Sequence, residues 1–247
     1  MTRPPSAVPT VHDSRTLMVE DLSRLLAHLP FGAAAPGAMR PLVLDENVLE
    51  KSTFRTRVAS LGYLRRLYPL SGSLMHCAPF RELWQSTEAR GALALLLALD
   101  RDRLLARSAP FVLSLPVGQA VTWPDLARFL RAQGECFSDK TLGSSARNLL
   151  SSWSQAGWLS RQVPKRRTRP PVTPEAAALA LLLGYRGGAR GLALLQTPQA
   201  RVLDSSPDTL DELAFAAARR GWLTYRRVAD VLEVTFPGWE GATEEAP

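Results

Sequence analysis

Between Ser138 and Gly157 the apolar residues Leu142, Ala146, Leu149, Trp153 and Ala156 recur at steps of four and three. That spacing places them on one face of a helix. The opposite face carries Lys140, Ser144, Arg147, Asn148, Ser151 and Gln155, with no carboxylate among them. Gly157 ends the pattern and Trp158-Leu159 comes next. The chain then enters a basic loop bearing Arg161, Lys165, Arg166, Arg167 and Arg169.

Upstream, Thr122-Trp-Pro-Asp opens a shorter pattern to Gln133, with Thr122 as N-cap and Pro124 in the first turn. The two helices and the basic loop make one unit, 110–172, of the winged helix-turn-helix kind. Nearer the N-terminus, residues 14–109 read as a helical domain. Ser14–Leu29 is amphipathic with Ser14 as cap, Pro30–Pro41 is a small-residue linker, and a basic helix covers 45–68. Short buried helices lie between Pro79 and Leu105, and Pro110–Leu115 reads as a strand. The segment 173–239 repeats the logic, with helices over 174–185 and 207–220 and a β-hairpin over 222–236 turning at Ala229-Asp230. AGWL at 156–159 and RGWL at 220–223 both close a helix and lead into basic residues. The fold class is therefore mainly α: a helical bundle with tandem winged helix-turn-helix-like units and short β-hairpin wings. A proline-rich leader (1–13) and an acidic tail (240–247) are expected to be disordered.

Charge sharpens this picture. The chain of 247 residues carries a net +7, concentrated in two blocks, 51–107 and 138–170. Residues 138–170 hold seven Lys or Arg against the single acid Asp139. Arg, Ala and Leu dominate the composition and only three lysines occur, Lys51, Lys140 and Lys165, which discounts each arginine. A polar helix face and a charge run are also what any solvated surface shows. Adjacency of cluster and helix favours a polyanionic partner. Two cysteines, Cys77 and Cys136, suit a reducing cytoplasm. No apolar segment comes after MTRPPSAVPT to form a secretory signal. The longest apolar runs, Ala92–Leu99 and Ala176–Leu183, are far short of the about 20 residues that cross a membrane.

Catalytic chemistry is sparse. His12, His28 and His76 are scattered, and no CxxC, HExxH, GxxxxGK[ST] or GxGxxG occurs. The glycine-rich run 184–191 reads as an interhelical loop and the carboxylates sit at helix starts. No catalytic residue, cofactor or metal is expected, and the protein is read as a non-enzyme. The expected partner is double-stranded DNA, without a membrane. Phosphate contacts come from Lys140, Arg147, Arg161, Lys165, Arg166, Arg167 and Arg169, and Ser144 and Asn148 reach towards base edges. Arg55, Arg65 and Arg66 of the second helix, and Tyr225, Arg226 and Arg227 of the hairpin, are secondary contacts. A winged-helix transcriptional regulator and an interaction scaffold for an acidic partner are the alternatives.

NVLEKSTFRTRVASLGYLRRLYPL (47–70), Leu83-Trp84, LLLALDRDRLLARSAPFVL (95–113) and the Ser138-to-Leu159 run resemble the BrxA family of BREX bacteriophage-exclusion systems. The resemblance covers about residues 45–160. It implies a largely helical protein with helix-turn-helix-like units that binds DNA and works among other defence proteins. The N-terminal 41 residues and the chain after Thr173 fall outside it.

Overall fold

The computed structural model describes residues 10–30, 35–70 and 74–239, so residues 1–9 of the leader and the whole acidic tail lie outside the described residues. Helices dominate: α1 (Val19–His28), α2 (Ala35–Leu44), α3 (Phe54–Leu67), α4 (Ala78–Gln85), α5 (Arg90–Leu99) and α6 (Arg103–Ser114) form the first half. A short strand β1 (Ala120–Val121), α7 (Trp123–Ala132), α8 (Asp139–Ala156) and β2 (Lys165–Arg166) come next. The last third holds α9 (Pro174–Arg186), α10 (Pro198–Val202), α11 (Pro207–Arg219) and the hairpin β3 (Thr224–Val228)–β4 (Val231–Thr235).

Side-chain caps mark most of these starts. Thr53, Ser138, Thr173 and Ser206 each accept a hydrogen bond from the backbone N–H three residues on. Thr122 and Asp125 close a reciprocal capping box on α7. Both helix–Gly-Trp corners end alike. Gly157 and Gly221 are left-handed (φ 100° and 78°), and the N–H of the next residue, a tryptophan in both cases, reaches back to the carbonyl of Trp153 or Ala217.

Four sequence-based expectations change. The linker 30–41 contains the first half of α2: burial of Met39, Val43 and Leu44 outweighs the cost of Pro41 inside the helix. The basic helix begins at Phe54 instead of residue 45, because Asn47 closes a loop on the backbone of Lys51 and Thr53 caps the helix start. Pro110–Leu115 belongs to α6 rather than to a strand. Val112 is buried while Pro110 lies on the solvent face, where a proline is tolerated. The boundary placed at residue 109/110 thus falls inside a helix. Finally, Thr10–Leu17 is an ordered arm: Val11, His12 and Leu17 are buried, and α1 starts only at Val19, after Met18 turns through φ 53°.

The helical domain and the two units after it share one continuous apolar core. α9 lies at its centre. Its residues Ala176–Leu183 are buried all round, as expected of a helix that packs on α5, α10 and α11 at once. α8 packs on α5, α6 and α7, with Trp153 in its last turn, wholly buried and donating its indole N–H to Ser108 Oγ at 2.7 Å. No helix among the described residues is long and apolar enough to cross a membrane.

Candidate nucleic-acid interface

α8 carries the apolar stripe where the spacing places it: Leu142, Ala146, Leu149, Trp153 and Ala156 are all buried. Its outer stripe is Lys140, Ser144, Arg147, Ser151 and Gln155, neighbours at steps of three and four. α7 packs against the N-terminal half of α8. At that crossing the Trp123 ring lies against Gly143, where an added Cβ would come within 3.2 Å of it. The Arg147 guanidinium stacks 4.0 Å from the centroid of the same ring. Nothing in the local sequence joins Trp123 to Arg147, because the pair depends on the helix crossing.

Beyond Gly157 the chain folds back on itself. Leu159 bridges to Arg167, and β2 pairs antiparallel with β1 in the register Val121–Lys165 and Ala120–Arg166. The hairpin tip, 160–164, projects outward, with Val163 90% exposed. Cations here have unequal roles. Lys140 and Arg161 are exposed and have no ion-pair partner among the described residues. Arg166, also exposed, donates to the Gly118 carbonyl at 2.9 Å and keeps its charge uncompensated. Lys165 is half-buried and donates to Ser154 Oγ at 3.0 Å, and burial pushes its ammonium below the ordinary lysine value.

Arg167 and Arg169 depart from expectation. Arg167 is 1% exposed; it donates to Asp204 Oδ2 at 2.6 Å and to the carbonyls of Trp158 and Thr168. Burial lowers its pKa while Asp204 opposes the shift. Arg169 shares Asp204 at 2.9 Å. Both arginines fasten the hairpin to the α10–α11 turn, Arg167 from within the core and Arg169 from the surface, where its side chain stays mostly exposed. Asp204 lies 35 residues beyond Arg169, which hides the pairing from any local reading.

The arm 10–17 crosses the C-terminal half of the α8 polar stripe. Asn148 donates from its side-chain amide to the His12 carbonyl at 3.1 Å, and Gln155 donates to Thr16 Oγ1 at 2.9 Å. Asn148 thereby ties α8 to the arm with one of its two amide N–H donors. Beneath it, His12 Nε2 meets Ser152 Oγ at 2.9 Å while His12 Nδ1 lies 2.9 Å from Asp102 Oδ2. Burial works against the charged form of Asp102, but His12 and the backbone N–H groups of Leu105 and Val11 outweigh it, holding the carboxyl below its ordinary value. Hydroxyl, imidazole and carboxylate in that order resemble an acyl-transfer triad, which would need an accessible nucleophile and an oxyanion hole. All three side chains are sealed in the core, and Ser152 Oγ already accepts from the Leu17 N–H and donates to the Asn148 carbonyl. The array clasps the arm to α6 and α8.

The secondary candidates are dispersed. Arg55, Arg65 and Arg66 are exposed on α3, with Arg66 lying 5.8 Å from the Tyr63 ring. Tyr225 is buried against Phe215, and its hydroxyl donates to Asp211 at 2.6 Å; burial and that carboxylate push it above the ordinary tyrosine range. Arg227 pairs with the same Asp211 at 2.8 Å, which leaves Arg226 as the free cation of that trio. Among the described residues no group of three or more His, Cys, Asp or Glu side chains converges in a metal-holding arrangement.

No protein-family model matches this chain, and no curated protein matches it. A crystal structure of an uncharacterized protein from Magnetospirillum magneticum is similar over 67% of this chain and 87% of its own, at 18% identity and a TM-score of 0.46.

Proposed function

We propose that this chain is a non-enzymatic, double-stranded-DNA-binding subunit of a bacterial phage-defence complex. In this reading α6, β1, α7, α8 and the 159–167 hairpin form a winged helix-turn-helix, with α8 offered to the duplex and the hairpin as its wing. The observation that carries it is the line of uncompensated cations Lys140, Arg147 and Arg166, joined by Arg161 at the tip, on a helix and hairpin whose other faces are locked into the core. Charges placed in this way neutralise backbone phosphates and release counterions. The resemblance of residues 45–160 to the BrxA family supplies the phage-defence context. Ser144, whose hydroxyl donates to the Thr141 carbonyl at 2.8 Å, retains lone pairs for a base edge. With Asn148 half-buried and partly engaged by the arm, direct base readout is thin and binding is weakly sequence-specific.

The test is fluorescence anisotropy with random duplex across a salt series. Wild-type log K should fall steeply with log salt. Replacing Lys140, Arg147 and Arg166 together by Ala should weaken binding about a hundredfold near 0.1 M salt and flatten the slope by up to about three. Circular dichroism should show the triple variant folded. Absence of salt-dependent duplex binding by the wild type, at about 50 mM salt, would overturn the reading in favour of a scaffold for an acidic protein.

A further inference from the structure

A cavity of about 760 Å³ opens where the arm, the start of α1, α3, the C-terminal half of α8 and the hairpin meet. Four cations line it: Arg15, Lys51, Arg161 and Lys165. Two of the chain's three lysines are therefore gathered at one place from positions 114 residues apart. Two carboxylates also line the wall, and both are engaged. Asp21 holds Lys51 at 2.7 Å, and Glu20 holds Arg24 at 2.7 Å. That leaves Arg15, Arg161 and Lys165 without a carboxylate partner among the described residues.

Lys165 is the informative member. It is half-buried, and its ammonium donates to a serine hydroxyl and a backbone carbonyl, both neutral. An ammonium withdrawn from water without a counter-ion is costly, and an anion in the cavity removes that cost. Hydroxyls of Thr16 and Ser151 supply further donors around the same space, while that of Ser154 is spent on the Ser160 carbonyl. The lining residues include no aromatic ring, and recognition falls to charge and hydrogen bonding. The volume lies within the about 300–1,000 Å³ of small-ligand sites.

We infer that this cavity is a phosphate-binding site, in which Lys165 and Arg161 of the hairpin and Arg15 of the arm grip a phosphate group. The same chemistry serves a free phosphorylated small molecule or a phosphate of a bound nucleic-acid strand. The site shares Arg161 with the duplex-binding surface, and the decisive variant of that surface (Lys140, Arg147 and Arg166 to Ala) tells them apart because it leaves all the lining residues intact.

The experiment uses the full chain with inorganic pyrophosphate as probe, read by thermal shift and titration calorimetry against sodium chloride at matched ionic strength. A parallel arm measures duplex affinity for the same variants. Saturable pyrophosphate binding by the wild type, weakened roughly tenfold or more in both Lys165→Gln and Arg161→Gln, is the expected result. Arg161 is exposed, so its variant keeps the fold even if Lys165→Gln loosens the hairpin. Pyrophosphate binding weakened in both variants, with duplex affinity unchanged in Lys165→Gln, identifies a free phosphorylated ligand. Duplex affinity lost in both variants without pyrophosphate binding identifies a nucleic-acid phosphate. Equal behaviour of wild type and Arg161→Gln in both arms overturns the site.

Discussion

α8 with its hairpin and α11 with its hairpin are built on the same corner, yet their surfaces carry opposite messages. Each helix ends at a left-handed glycine, turns on a Gly-Trp-Leu run and enters a short antiparallel ladder. On α8 the outer stripe is cationic or neutral and several charges are left without partners. On α11 the exposed positions include Asp208 and Glu212, and Asp211 neutralises Arg227 while holding the Tyr225 hydroxyl. A phosphate approaching α11 meets carboxylates first. The local motif therefore says how a helix ends and a hairpin begins; it does not say what the surface binds. Function depends on which charges remain after the tertiary fold has paired the others.

The largest contrast between the corners should be in stability. Trp153 and Ala217 are counterparts, four residues before their glycines. Trp153→Ala deletes a fully buried indole that also packs edge-on to Trp158 and should cost about 3–5 kcal/mol by denaturant melt. Ala217→Gly should cost only about 1 kcal/mol. Equal costs would mean that the two corners share one mode of support.

Arg167 and Arg169 sharpen the distinction between tie and contact, since both pair with Asp204 but at very different depth. Arg167→Ala leaves Asp204 to Arg169 alone and opens space beneath the hairpin, for an expected loss of about 2 kcal/mol. Arg169→Ala, at a mostly exposed pair, should lose less than about 1 kcal/mol. Chemical denaturation of the two single variants reads the difference, and reversed ranking would move Arg167 back to the surface.

Acid should separate the two units in a smaller way. The Asp102 carboxyl is held below its ordinary value, so its stabilisation is complete above about pH 4 and fades as pH falls through the folded-state value. Asp102→Asn should therefore cost about 1–2 kcal/mol near neutrality, with the gap to wild type closing under acid. Asp211 is shifted in the same direction by Tyr225 and Arg227, against burial, but it is more open to water. Asp211→Asn should show a shallower version of the same pH profile. A pH-independent difference at Asp102 would indicate that capping geometry, not charge, holds the arm.

The smallest effect is expected in the second hairpin. Replacing Arg226 and Arg227 by Ala should leave duplex affinity within about twofold and stability within about 0.5 kcal/mol per site. A large loss of affinity would restore the C-terminal unit as a DNA contact and remove the asymmetry between the corners.

Much of the fold is legible in the sequence because its signals are local. Caps at Thr122, Ser138 and Ser206, the glycine stops at 157 and 221, and the period of the α8 stripe act within one or two helical turns, so sequence alone locates α7, α8, α9, α11 and the β3–β4 hairpin. Where long-range burial outweighs local preference, local signals mislead. Pro41 and Pro110 look like breakers until the residues beside them are seen in the core. His12 looks like part of a leader until Asp102 and Ser152, 90 and 140 residues away, receive it.

The candidate interface divides along the same line. Sequence alone determined that cations concentrate around α8 and the loop after it, because charge is a count along the chain. The tertiary structure decided which of them face solvent. It buried Arg167 on Asp204, tied Asn148 to the arm, stacked Arg147 on Trp123 and gathered Arg15, Arg161 and Lys165 around one cavity. The reason is physical: hydrophobic burial sets the positions of the helices without regard to charge. An arginine's availability then depends on which carboxylate, carbonyl or ring the packed core happens to bring within its reach.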